Sequence, residues 1–118
     1  MATTMTQQTL APGKGAVVFT WAALAEDENG DSAQTFVHTD RTIQITGTFG
    51  GTTVTVEGSL DNTNWAPLTD PAGVAISFTA AGMEAILEAT PYIRPVTTGG
   101  TSAAIKAQVF AHAIIQKG

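Results

Sequence analysis

Cysteine is absent from these 118 residues, which removes disulfides, thiolate catalysis and cysteine-ligated zinc together. Charge is scarce as well. Asp, Glu, Lys and Arg make up 13% of the chain, about half the usual share in globular proteins. The five basic residues, Lys14, Arg41, Arg94, Lys106 and Lys117, are scattered, and the acidic residues leave a net charge of −5. Phosphate backbones are held mainly by clustered Lys and Arg, so neither nucleic acid nor an anionic membrane is an expected partner. No apolar run approaches the ~18 residues of a membrane span. Residues 1–8 carry neither the basic segment nor the apolar core of a secretory signal. The expectation is a soluble protein assembled in a reducing cytoplasm.

Catalytic groups are equally sparse. Histidine occurs twice, as His38 and His112, whereas catalytic zinc sites generally take three protein ligands. Neither H-E-x-x-H nor G-x-S-x-G occurs. The acids gather in residues 26–31 and otherwise scatter as Asp40, Glu57, Asp61, Asp70, Glu84 and Glu88. Asp27, Asn29 and Asp31 have the spacing that opens a calcium loop. The sixth and twelfth positions then fall on Ser32 and His38, where an EF-hand needs Gly and Glu. The expectation is no enzyme, no metal and no cofactor, with residues 26–31 as an acidic turn.

What the chain does have is hydrophobic alternation. Apolar residues make up 43% of it, enough for one domain to hold a core without staples. In residues 16–24 Val17, Phe19, Trp21 and Ala23 fall on one face and Val18, Ala22 and Leu24 on the other, as in a strand apolar on both sides. Ile43 and Ile45 alternate with Thr and Gln. Val54 and Val56 do the same, and Gly50-Gly51 between the two runs predicts a β-hairpin. Val74, Ile76 and Phe78 alternate strictly. Residues 34–38 and 81–88 read as short strands, and Pro95 points to an edge or a bulge in residues 92–97. Residues 103–115 place Ile105, Ala107, Val109, Ala111, Ala113 and Ile115 on one face, and Lys106, Gln108, Phe110, His112 and Ile114 on the other. Many short strands with turns at this spacing predict an all-β fold, an antiparallel β-sandwich of jelly-roll-like form. It would occupy residues 16–118, with residues 1–15 as an extended arm. In residues 57–65, E-G-S-L-D-N-T-N-W, an Asx turn leads to an aromatic that anchors the loop or, if exposed, stacks on a sugar.

The run Q-I-T-G-T-F-G-G-T-T-V-T-V-E-G-S over residues 44–59, then Asp61 to Trp65, then Tyr92-Ile93-Arg94-Pro95 and Thr98-Gly99-Gly100, resembles small β-sandwich proteins of tailed phages. Some of these are capsid decoration (cement) proteins. The likeness covers residues 41–105. It implies a structural virion protein that binds the outer surface of the head and bridges copies of the major capsid protein, itself as a homo-oligomer, a dimer or trimer. The surfaces expected to meet such a partner are Leu10, Pro12 and Lys14 on the arm, and Trp21, Phe110, His112 and Ile114 on the double-faced strands. A second pattern, Ser59, Asp61 and Trp65 followed by Tyr92-Ile93-Arg94, is similar to discoidin-type (F5/8 type C) domains. Asn62 stands where those have glycine. That likeness implies a carbohydrate-binding module of a virion, with Asp61, Asn62, Asn64 and Trp65 as its ligand loop.

Overall fold

The computed structural model describes residues 5–11, 15–35 and 40–112, the side chains of residues 10 and 11 excepted. Ten strands follow in chain order: β1 (Met5–Ala11), β2 (Ala16–Leu24), β3 (Ala33–Gln34), β4 (Asp40–Thr48), β5 (Thr53–Ser59), β6 (Ala66–Pro67), β7 (Ser77–Phe78), β8 (Gly82–Ile86), β9 (Tyr92–Thr98) and β10 (Ala104–His112). No helix occurs among the described residues. One sheet, called A here, has the order β1-β2-β10-β4-β8. The other, B, has β3-β9-β5-β6, with β7 also on β5. All pairings are antiparallel.

This is a jelly roll. With β1 and β7 set aside, the outermost strands pair as β2·β10, and inside them come β3·β9, β4·β8 and β5·β6. The chain is one long antiparallel hairpin, bent so that alternate rungs fall in opposite sheets. Its tip is the loop between β5 and β6, where residues 59–65 lie.

The core lies between the sheets. From sheet A come Phe19, Trp21, Ile43, Ile45, Ile105 and Val109, and from sheet B Val54, Val56 and Ile93, all fully buried. Alternation in β4, β5 and β10 puts these residues inward, as the sequence predicts. Two expectations are corrected. β4 and β5 are not a hairpin: they belong to different sheets. Gly50 (φ 57°) and Gly51 (φ 84°) do make a tight turn, closed by the Thr52 amide on the Phe49 carbonyl (2.9 Å). The turn carries the chain across the sandwich instead of back along the same sheet. In β2, Leu24 is buried while Ala22 and Ala23 are exposed. Leu24 pairs with Ile105 and Trp21 with Ala107, so β2 holds one residue more than β10 across this stretch. That bulge reverses the facing of everything beyond it.

Residues 5–11 form edge strand β1 against β2, so this part of the expected arm belongs to sheet A. Pro95 sits in β9, between β3 and β5. Its carbonyl accepts from the Gly30 amide (2.9 Å), so its backbone nitrogen faces the irregular 28–35 side. The missing N–H therefore costs no bond to β5, which is how proline is accommodated inside a sheet. The end of the predicted 34–38 strand, with His38, lies outside the described residues, as do Ala113 and Ile115.

Candidate functional site

The residues singled out by the sequence separate into three places. Trp21 is in the core, fully buried, with its indole N–H donated to the Asp31 carbonyl (2.8 Å). It is therefore no part of a surface interface. Its inward facing follows from the β2 register, and segment 25–31 packs over it. A Cβ on Gly30 would come within 2.8 Å of the indole. Glycine is required there because the backbone lies against the ring.

The acids of that segment bind backbone amides. Glu28 accepts from Ala25 (2.9 Å), Asp27 from Gly99 (2.8 Å) and Glu26 from Ala103 (2.9 Å). The Ala103 amide holds the Glu26 carboxyl below its ordinary range. Thr97 completes the seam: its hydroxyl donates to the Ala25 carbonyl and accepts from the Glu28 amide. The acidic turn is thus a clasp joining the end of β2 to β9 and the β9–β10 turn. No cluster of three or more metal-ligating side chains occurs among the described residues.

The second place is the loop of residues 59–65 on the outside of sheet B. Asp61 Oδ1 accepts the amides of Asn64 (2.8 Å) and Thr63 (2.9 Å) and the Ser59 hydroxyl (3.0 Å), and Oδ2 accepts from Asn64 Nδ2 (2.8 Å). These donors, the Asn64 and Thr63 amides foremost, keep the Asp61 carboxyl well below the usual range. Asn62 takes positive φ (62°), which asparagine tolerates. Asp61 therefore organises the tip of the long hairpin, and both its oxygens are engaged within the loop. Trp65 is half-buried beneath Arg94, whose guanidinium carbon sits 4.1 Å from the ring centroid. Arg94 is also paired with Glu57 (2.9 Å). Beside them lies a hollow of about 280 Å³, lined in part by Asp31, Ser32, Asn62, Trp65 and Arg94. With Asp61 engaged and one Trp65 face covered, Asn62, Asn64 and the Trp65 edge remain to meet a ligand.

The third place is the outer face of sheet A. Two cross-strand rows run over it: Gln8, Val18, Phe110, Thr42 and Ala85, and beside it Thr6, Thr20, Gln108, Gln44 and Met83. Neither row carries a charge. Phe110 is 40% exposed and Met83 60%. They border a hollow of about 340 Å³ together with Val18, Thr42, Gln44 and Gln108. His112 stacks on Phe110 with ring centroids 6.4 Å apart. The structure thus places Phe110 and His112 together on one surface. Pro12, Lys14, Ile114 and the side chain of Leu10 lie outside the described residues. Val18, Thr42, Gln44 and Met83 were not singled out from the sequence. The alternation of β2, β4 and β8 was there to be read, but which strands neighbour one another depends on the jelly-roll order.

A further group escaped the sequence reading. Arg41 is buried on the inner face of β4. Its Nη1 donates to the Thr90 carbonyl (3.1 Å) and to the Thr35 and Thr90 hydroxyls (3.3 Å each). Its Nε and Nη2 are buried without a hydrogen-bond partner, and burial lowers its pKa to about 10.

Comparison with known proteins bears on the fold alone. The chain is similar in fold to the SPBc2 prophage-derived protein YomS. The TM-score is 0.66 at 9% sequence identity, over 88% of this chain and 99% of YomS. No protein family matches the sequence, and no curated protein is similar to it. The likeness to YomS thus rests on backbone shape, with fewer than one residue in ten in common.

Proposed function

We propose that the chain is a structural phage protein that decorates the head, binding the outer surface of the capsid and bridging copies of the major capsid protein. The observation that carries this reading is the pair of uncharged rows at the centre of the outer face of sheet A, with Phe110 and Met83 exposed on a molecule of net charge −5. A neutral, partly apolar surface is matched by another protein, since docking there removes apolar area from water at about 25 cal/mol per Å². The jelly roll supplies the stiffness that a bridge needs, and jelly rolls recur in capsid and lectin domains. The fold shared with a prophage-derived protein is in keeping with a phage source. Bonds are made here by surface complementarity, not broken: the role is one of binding, with no catalytic step and no cofactor.

The test uses heads of the phage that encodes the chain, prepared without it. Added protein should co-sediment to a fixed ratio per capsid subunit and raise the temperature at which heads lose DNA. Phe110→Asp should weaken binding at least tenfold while the variant stays folded. Failure of wild-type protein to co-sediment would sink the proposal. A glycan bound at micromolar strength and lost in Trp65→Ala would replace it with a carbohydrate-binding role for the Asn62–Trp65–Arg94 hollow.

A further inference from the structure

Among the described residues both sheets end in free edges, and three of the four terminal strands carry a device against edge pairing. Sheet B ends in β3 and β6, each two residues long, and β6 includes Pro67. Sheet A ends on one side in five-residue β8. There Glu84 pairs with inward-facing Ile43, so a charge points inward at the edge. Shortness, proline and inward charge all discourage a foreign strand from adding on. β1, the other edge of sheet A, has none of these. It is seven residues long, M-T-Q-Q-T-L-A, without charge or proline. The side chains of residues 6–9 are exposed, and among the described residues β1 is hydrogen-bonded to β2 on one side only.

We propose that a second copy of this chain docks on this edge, β1 antiparallel to β1, making one continuous sheet from the two A sheets. The charge distribution fits that occupant better than a basic one. Two molecules of net charge −5 repel, so they meet most cheaply along an uncharged strip. A basic partner would instead be drawn to the acids. Antiparallel pairing of two identical strands gives a two-fold axis perpendicular to the sheet. The same patch is then used by both copies, and the assembly closes as a dimer instead of growing into a fibre. That axis keeps both outer faces on the same side. Gln8 stands in one cross-strand row with Val18 and Phe110, so the two Phe110 hollows would lie side by side on one surface. The dimer itself does not depend on head binding. If the head is the target, it offers two contacts to one shell, and the second forms at high effective concentration.

Sedimentation equilibrium of the full chain tests this. The expected mass is twice that of the chain, falling to one in the Thr6→Lys/Gln8→Lys double variant while its strand circular dichroism persists. Glu84→Lys, on the opposite edge, should remain dimeric. In a chain without cysteine, single substitutions report geometry cleanly. Facing residues of an antiparallel pair lie about 4.5–5.5 Å apart at Cα, within disulfide reach. A cysteine scan over residues 6–9 should therefore give a covalent dimer on oxidation, and Glu84→Cys none. A wild-type monomer at every concentration overturns the proposal, as does a dimer indifferent to the lysine pair. If the wild type is monomeric and the lysine pair abolishes head binding, the edge belongs to a capsid strand and not to a second copy.

Discussion

The two sheets are built by different means. Sheet A is made of long strands, with β2, β4 and β10 each nine residues long, and its ladders supply their own hydrogen bonds. Sheet B has two full strands, β5 and β9, and its remaining strands are two residues each. Side chains do there what ladder bonds do in sheet A. Thr97 and the 26–28 acids clasp one flank. On the other, Glu88 accepts from the amide and hydroxyl of Thr69. The lesson is that a small jelly roll can shorten three strands of one sheet if carboxylates and hydroxyls cap the backbone groups left over. The cost is a sheet that depends on particular polar atoms, where its partner depends on area buried.

Substitutions can break or sharpen this contrast. The largest expected effect is in the area-dependent half: Trp21→Ala removes the largest fully buried side chain and should cost about 3–5 kcal/mol in chemical denaturation. Thr97→Val keeps shape but leaves the Glu28 amide only its longer bond to the Thr97 carbonyl (3.2 Å) and the Ala25 carbonyl one donor short. A loss of about 0.5–1.5 kcal/mol is expected, and the same change at exposed Thr98 should do almost nothing. If the two valine variants melt alike, the clasp contributes no stability. Arg41→Met should go the other way, gaining about 1 kcal/mol by removing two orphaned buried donors. The Thr90 carbonyl would keep its bond from the Thr35 hydroxyl.

The smallest effect is in acid. The folded pKa of Asp61 is depressed, so its stabilisation is present above the unfolded value of about 3.9 and is lost as pH falls toward the folded value. Wild type and Asp61→Ala should therefore differ in melting temperature near neutral pH, and the gap should narrow well below about pH 3.9. A gap independent of pH would mean that the carboxylate's charge is not what holds the loop.

How much of this was legible in the sequence follows from range. Alternation is local, and it located β2, β4, β5 and β10 and most of the core. The Asx turn at 59–65 was equally readable, because Asp61 bonds residues two and three further on. Gly50-Gly51 misled because positive φ at two residues makes a tight turn without saying whether the strands beyond it stay in one sheet. The β2 bulge was hidden because Ala22, Ala23 and Leu24 are all apolar, so period-2 reading had no polar residue to mark the slip. Trp21 as an interface residue failed for the same reason: a strand apolar on both faces does not say which face is covered. The surface at Phe110 needed strand neighbours drawn from both halves of the chain, which no local pattern encodes.

The central place of β10, between β2 and β4, has a consequence for synthesis. Until residues 104–112 have been made, no strand pairing joins the β1·β2 pair to the β4·β8 pair. The nascent chain can form its inner rungs, β5·β6 and then β4·β8, but the middle of one wall stays open. Closure is long-range and therefore slow. Until then the open edges are templates for any passing strand, the kind of exposed surface that chaperones shield.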